Sequence, residues 1–184
     1  AGMETARTCA LRGYDVTLFE KSDHLGGHLC EAGAHTFKKE VRELNEWYQR
    51  ELKKFDHITV KLEHEPCIKC IKKEAPDAVV LATGSVASAP PIKGLEKAVV
   101  SLDAINHPEL LKGDILIVGG GLVGCEIALD EAKKGHKVTI VEALDKILSS
   151  GVPAPYPNAQ MLGDLFEYYH VDVLTSHKLV EVVD

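Results

Sequence analysis

Apolar positions along the chain fall into two alternating patterns. Short apolar runs at Asp15–Phe19, Asp77–Gly84, Asp114–Val118 and Lys137–Val141 read as strands, Asp77–Gly84 as a buried one and Asp114–Val118 as one of the buried parallel type. Val171–Leu174 and Leu179–Val182 also read as strands. Between them lie segments with helical spacing. Gly2–Arg12 and Leu122–Lys134 carry small residues on one face, and Ala159–Tyr169 reads as a further helix. Thr36–Phe55 places Phe37, Val41, Leu44, Trp47, Tyr48 and Leu52 at three- and four-residue steps. That spacing predicts an amphipathic helix packed on a sheet, with Lys38, Lys39, Glu40, Arg42 and Glu43 mostly outward. Ala87–Pro91 reads as a crossing loop, His107–Gly113 as a linker, and the proline-containing Gly151–Pro157 as a loop covering the site. Strands alternating with helices predict an α/β fold with parallel sheets flanked by helices.

The pattern also repeats. Setting residue n against n+122 places Gly2 on Gly124, Glu4 on Glu126, Ala6 on Ala128, Ala10 on Ala132 and Gly13 on Gly135. Val16-Thr17 then falls on Val138-Thr139, and Glu20 on Glu142. Each copy is a helix, a glycine stop and a short strand ending in glutamate. The second copy is complete at its front: the strand Asp114–Val118 runs into Gly119-Gly120-Gly121-Leu122-Val123-Gly124, a G-x-G-x-x-G, and Glu142 lies 21 residues after Gly121. With a strand before it, a helix after it and an acid at this distance, the motif is a dinucleotide-binding fingerprint. The first copy begins at what would be its third glycine, and the last strands end at Asp184 without a helix or cap, so truncation is expected at both ends. The expected organisation is two Rossmann-like units, residues 1–112 lacking a first strand and G-x-G, and an inserted unit over 113–184.

The fingerprint has a specific chemistry. Gly119 permits the tight turn, Gly121 lets the backbone approach a pyrophosphate, and Gly124 lets the helix pack close to the strand. Leu122 and Val123 open the helix, whose free N–H groups and positive dipole end suit phosphate. Glu142 is spaced to accept hydrogen bonds from an adenosine ribose and to repel a 2′-phosphate, which favours NAD(H) over NADP(H); no arginine follows it, although Lys146 does. Glu20, followed by Lys21, has the same place in the first copy. Two such units imply two different dinucleotides.

Composition narrows the classes. The chain has 184 residues, of which 45% are hydrophobic and 27% charged, enough for a packed core. The net charge is −7 without a basic cluster, which argues against nucleic acid. No apolar run approaches the ~20 residues of a membrane helix. Five cysteines without framework spacing fit a reducing, cytoplasmic setting.

Cys67-Ile68-Lys69-Cys70 is a C-x-x-C. A redox pair is one reading; a structural metal site would need a second pair, which the sequence lacks. The favoured reading is a short helix over Pro66–Lys73 with both cysteines facing the core beside Ile71. Cys30 stands just past the Leu25-Gly26-Gly27 turn, but position 35 is His35, so a dithiol pair there is disfavoured. Cys9 and Cys125 read as packing residues on the two first helices. His24, His28 and His35 read as a solvated loop and no metal site is expected; the sequence assigns no catalytic acid, base or nucleophile.

A ribose-binding Glu, an L-G-G turn, a strand ending Ala82-Thr83-Gly84 and a second G-x-G-x-x-G together resemble the two-dinucleotide flavoprotein reductases. More narrowly, AGMETARTCALRGYDVTLFEKSDHLGG and ILIVGGGLVGCEIALDEAKKGHKVTIVEALDKI resemble the C-terminal part of the enoate reductase, 2,4-dienoyl-CoA reductase and NADH:flavin oxidoreductase (NADH oxidase) group, to which trimethylamine dehydrogenase is related. The resemblance implies that Gly2, Glu20, Lys21, Gly26, Gly27, Ala82, Thr83 and Gly84 line FAD. It likewise implies that Gly119, Gly121, Leu122, Val123, Gly124 and Glu142 line NAD(H). It further implies an upstream barrel domain in the same chain holding FMN, an iron–sulfur cluster and the substrate site. The parent would be an oxidoreductase passing hydride from NADH to FAD, and the 184 residues alone would be inactive. The rival reading is a nucleotide-binding module without turnover, holding ADP or NAD as a structural ligand. A homo-oligomer stays open.

Overall fold

The computed structural model describes residues 1–149 and 154–183. Its contacts divide the chain into two compact units, Ala1–Gly33 with Lys38–Val86, and Ala34–Phe37 with Ala87–Asp184.

The first unit runs α1 (Gly2–Leu11), β1 (Val16–Phe19), α2 (His28–Ala34), α3 (Lys39–Leu52), β2 (Ile58–Lys61) and α4 (Ile68–Glu74). The two strands pair in parallel, with Val16 opposite Ile58 and Phe19 opposite Lys61. Met3, Ala6 and Leu52 are buried between them and the helices, with Val16, Leu18, Tyr48 and Ile58 packed around. The principal partner of α3 is α1, not a sheet. A two-stranded ribbon offers little area and α1 already lies on β1, so within α3 the stripe is fully buried only at Leu52, with Tyr48 packed beside it and Val41 half-buried. Leu44 and Trp47 stay exposed, Trp47 beneath the Arg7 guanidinium 5.4 Å from its ring centre.

The expected buried strand at Asp77–Gly84 is not formed. Residues 77–84 carry no regular element, and Val79 and Leu81 are 53% and 82% exposed. A strand exists only through its ladder, and among the described residues nothing pairs with this segment. The apolar run is therefore real in sequence but has no sheet position to occupy.

The second unit holds a 3₁₀ turn at Leu95–Lys97, α5 (Ser101–Asn106), a 3₁₀ turn at Pro108–Leu110, β3 (Ile115–Val118), α6 (Leu122–Lys133), β4 (Val138–Val141), α7 (Tyr156–Tyr168) and β5 (Asp172–Leu174). Its sheet has the order β3-β4-β5, all parallel. Ile115, Cys125, Ala128, Leu129, Val138 and Ile140 form the core with Leu162 and Phe166 from α7. The strand expected at Leu179–Val182 reduces to one parallel bridge between Lys93 and Glu181, because its partner segment is itself a loop. The Gly151–Pro157 loop lies partly outside the described residues. Its last two residues, Tyr156 and Pro157, already belong to the first turn of α7, where the missing proline N–H leaves no helical bond unmade. No described helix is long and apolar enough to cross a membrane.

The repeat survives to the level of hydrogen bonds. Gly13 (φ +85) and Gly135 (φ +95) end α1 and α6 in the left-handed region. Tyr14 N–H reaches the Cys9 carbonyl and His136 N–H the Glu131 carbonyl, each at 3.2 Å.

Candidate functional site

The fingerprint loop leaves the C-terminal end of β3, where an open parallel sheet presents its binding crevice. Gly119 has φ +110 and gives its N–H to the Val141 carbonyl at 2.8 Å, which ties the turn to β4. A side chain on Gly124 would bring its Cβ to 2.1 Å from the Gly119 carbonyl oxygen. Helix and turn are thus in contact that only hydrogen allows. The first bond of α6 runs from Cys125 N–H to the Gly121 carbonyl at 2.9 Å. The N–H groups of Leu122, Val123 and Gly124 precede it and open at the helix start.

Glu142 follows β4 and is buried. Its Oε2 accepts the Gly120 N–H at 2.6 Å and its Oε1 the Leu144 N–H at 2.8 Å. Its backbone is held as well, its N–H donating to Leu174 and its carbonyl accepting from His177. The carboxylate thereby clamps the glycine loop and keeps lone pairs for hydroxyl donors, since an ionised carboxylate offers about four acceptor positions.

Two contributors escaped the sequence reading. Gly120 occupies a position the motif leaves free, yet a Cβ there would meet Ile147 Cγ2 at 2.5 Å. Leu148, in the left-handed region at φ +57, donates its N–H to the Gly120 carbonyl at 2.7 Å. Segment 144–148 folds back on the loop from below. The only sequence signal was that three glycines stand together.

In the first unit, Glu20 Oε1 accepts the Ser22 N–H at 2.9 Å, the counterpart of the Leu144 bond. Its N–H donates to Lys61 and its carbonyl accepts from His64, as Glu142 does with Leu174 and His177. Lys21 is exposed beside it. Gly2 opens α1, where a Cβ would stand 3.5 Å from Leu18 Cδ1 and 3.6 Å from Ala82 Cβ. This puts Ala82 near the helix start even though its strand is missing. Gly26 (φ +136) and Gly27 (φ +51) make the turn into α2, and a Cβ on Gly26 would lie 2.7 Å from both Cys30 Sγ and Asn45 Nδ2. His28 Nε2 contacts the Ser85 carbonyl at 3.0 Å, which ties this turn to the residue after Ala82-Thr83-Gly84. Asn45 Oδ1 is buried without a hydrogen-bond partner beside the turn. Asn45 and Cys30 thus fill the space a side chain on Gly26 would need, so the turn admits only glycine there.

The remaining candidates separate. Cys125 is fully buried, its Sγ reaching the Gly120 carbonyl at 3.4 Å, and burial pushes its thiol up to about 12. Burial also raises the Cys30 thiol. His24 pairs with Asp23 at 2.6 Å, and His35 is buried 3.9 Å from Asp130. Among the described residues no group of three His, Cys, Asp or Glu side chains could hold a metal ion. The C-x-x-C differs from its expected place: α4 buries none of its residues, Cys67 is exposed and Cys70 half-buried. A seven-residue helix with Lys69, Lys72 and Lys73 has too little apolar surface to turn both thiols inward.

Comparison with known proteins agrees with this architecture. The chain is 39% identical over 184 residues to a cinnamate reductase of Clostridium sporogenes, covering 100% of this chain and 28% of that protein. It is 39% identical over 155 residues to an NADH oxidase of Thermoanaerobacter brockii, covering 80% of this chain and 23% of that protein. Among solved structures, a 2-naphthoyl-CoA reductase complex superposes with a TM-score of 0.88 at 29% identity, over 99% of this chain and 27% of that one. The chain thus spans about a quarter of the length of these relatives. The family model for pyridine nucleotide-disulphide oxidoreductases matches residues 1–184 throughout, and the chain belongs to that family, whose cofactors are FAD and NAD(H).

Proposed function

We propose that this chain is the FAD/NAD(H) electron-input module of a longer, NADH-dependent flavin oxidoreductase. Residues 1–112 would hold FAD and residues 113–184 NAD(H), with FMN and an iron–sulfur cluster in an upstream domain that carries the substrate site. When bound, the two dinucleotides supply the hydride donor and acceptor. The chain's own residues bind and orient. The glycine loop and the N–H groups of Leu122 and Val123 receive a pyrophosphate, and Glu142 fixes the adenosine ribose. In the first unit Gly2, Glu20, Lys21, Gly26, Gly27 and the Ala82-Thr83-Gly84 turn would line FAD. A cytoplasmic setting accords with five cysteines that are all free thiols.

The observation that carries this reading is the buried Glu142 carboxylate clamped to the Gly120 and Leu144 N–H groups. Its two hydrogen bonds hold it at the glycine loop, and a carboxylate there would repel a 2′-phosphate. Titrating the purified intact protein with NADH and NADPH tests it. NADH is expected to bind more tightly and to bleach the flavin band. Tighter NADPH binding would overturn the role of Glu142.

One observation favours a second reading for the first unit. Among the described residues the segment carrying Ala82-Thr83-Gly84 is exposed and pairs with no strand, which suits a unit holding only an adenine nucleotide, without turnover. A colourless protein that binds ADP would establish that reading over the first.

A further inference from the structure

Outside the nucleotide loops, one pair of reactive side chains is placed together at the surface. The Cys67 and Cys70 sulfurs stand 2.8 Å apart at the start of α4. A disulfide bond is about 2.04 Å long, so a small side-chain rotation closes the pair. The two thiols are not equivalent. Cys67 is exposed, and its sulfur accepts the Cys70 backbone N–H at 3.3 Å. Cys70 is half-buried beneath it. Ile68, between the two, is 74% exposed, and Ile71 just after the pair is half-buried. The Glu74 carboxylate pins the far end of α4 to β2 through Lys61 Nζ at 2.6 Å.

We propose that Cys67 and Cys70 form a thiol–disulfide exchange site, with Cys67 the attacking thiol and Cys70 the resolving one, acting on accessible disulfides R–S–S–R. Cys67 thiolate attacks one sulfur of R–S–S–R, forming Cys67–S–S–R and expelling one R–S⁻. Cys70, giving its proton to solvent, then attacks the Cys67 sulfur and expels the second R–S⁻. Two electrons pass from the cysteine pair to the substrate. One R–S–S–R becomes two R–SH, and a Cys67–Cys70 disulfide replaces two thiols. Hydrogen bonds from the Cys70 side chain and backbone hold the Cys67 thiol below its ordinary value, which raises the thiolate fraction at neutral pH. The remaining three cysteines lack this arrangement. Cys125 is fully buried, Cys9 and Cys30 are partly covered, and burial raises the Cys30 thiol. This site does not rest on the nucleotide reading above.

The test is exposure of the intact protein to oxidised glutathione, followed by alkylation and peptide mass mapping. In the wild type, the peptide carrying both residues is expected to lose two hydrogens without retaining glutathione. Cys70→Ser is expected to trap a glutathione adduct at Cys67. Cys67→Ser is expected to form the adduct at Cys70 about tenfold more slowly, because that thiol is less exposed and lacks the backbone hydrogen bond. Equal trapping rates in the two variants would overturn the proposal and leave two ordinary surface thiols. A pair that stays reduced under glutathione disulfide, or that resists oxidation because it carries zinc, would overturn it too. Since α4 buries none of its residues, the variants are expected to fold as the wild type does.

Discussion

Gly124 and Gly2 occupy the same register in the repeat, and the structure treats them differently. At Gly124 the carbonyl of Gly119 sits where a Cβ would be, whereas a Cβ on Gly2 would make ordinary contacts with Leu18 and Ala82. Glu142 and Glu20 differ in the same way. Both accept an N–H two residues onward and both are held by flanking strands, but only Glu142 spends its second oxygen on a glycine loop. The lesson is that helix, glycine stop and acidic strand end are a self-sufficient folding pattern. The phosphate turn is a separate feature, and it is the turn that makes the third glycine indispensable.

The sharpest way to break this comparison is to put alanine at both glycines. Gly124→Ala must displace α6 from the Gly119 turn and is expected to cost about 3 kcal/mol of stability together with NAD(H) binding. Gly2→Ala is expected to stay within about 0.5 kcal/mol; denaturant midpoints of the two variants measure the contrast. The glutamates come next. In Glu142→Gln the amide oxygen can keep only one of the two N–H donors while the NH₂ faces the other, a loss of about 2 kcal/mol. The same variant should narrow the preference for NADH over NADPH. Glu20→Gln keeps its single acceptor and is expected to cost under about 1 kcal/mol. Equal losses would show that Glu20 is clamped as Glu142 is.

A smaller effect appears in alkali. Cys125, whose register mate is Met3, ionises in the folded chain only near about 12, against 9.0 for an unburied thiol. The unfolded chain therefore releases this proton first. The stability contribution is complete below pH 9.0 and is lost as the pH rises toward about 12. Unfolding of the wild type against Cys125→Ala over that range should show a steeper decline in the wild type. The smallest effect is acidic and belongs to the first unit. The hydrogen bond from Arg7 holds the Glu4 carboxyl at about 2, below its ordinary 4.5, so this contribution is present above pH 4.5 and disappears as the pH falls toward 2. Position 129, the register mate of Arg7, is Leu129, so no matching pair arises in α6. Glu4→Gln should flatten the acid limb of the unfolding curve slightly.

Much of this was legible in the chain itself. Strand and helix positions in both copies follow from apolar runs and glycine stops, and β1 and β4 begin and end at the predicted offset of 122 residues. The glycine turn and the acid at Glu142 were readable because their spacing is fixed by covalent geometry. What misled was context. Asp77–Gly84 has strand composition but no ladder, α3 has an apolar stripe wider than the surface that covers it, and the C-x-x-C helix has no core to face. Gly120 and Leu148 were invisible because their roles arise from a segment that returns to the loop more than twenty residues later.

By itself, then, the sequence determined the local units: a helix capped by glycine, a strand ending in a carboxylate, and a turn that needs hydrogen in place of a side chain. These depend on backbone conformation and on neighbours close along the chain. Only the tertiary structure decided which apolar runs found a partner, which carboxylate closed on a loop, and that Cys67 is exposed while Cys70 is half-buried. Those outcomes depend on area, ladder edges and acceptors contributed by residues far away in sequence, and no local pattern encodes them.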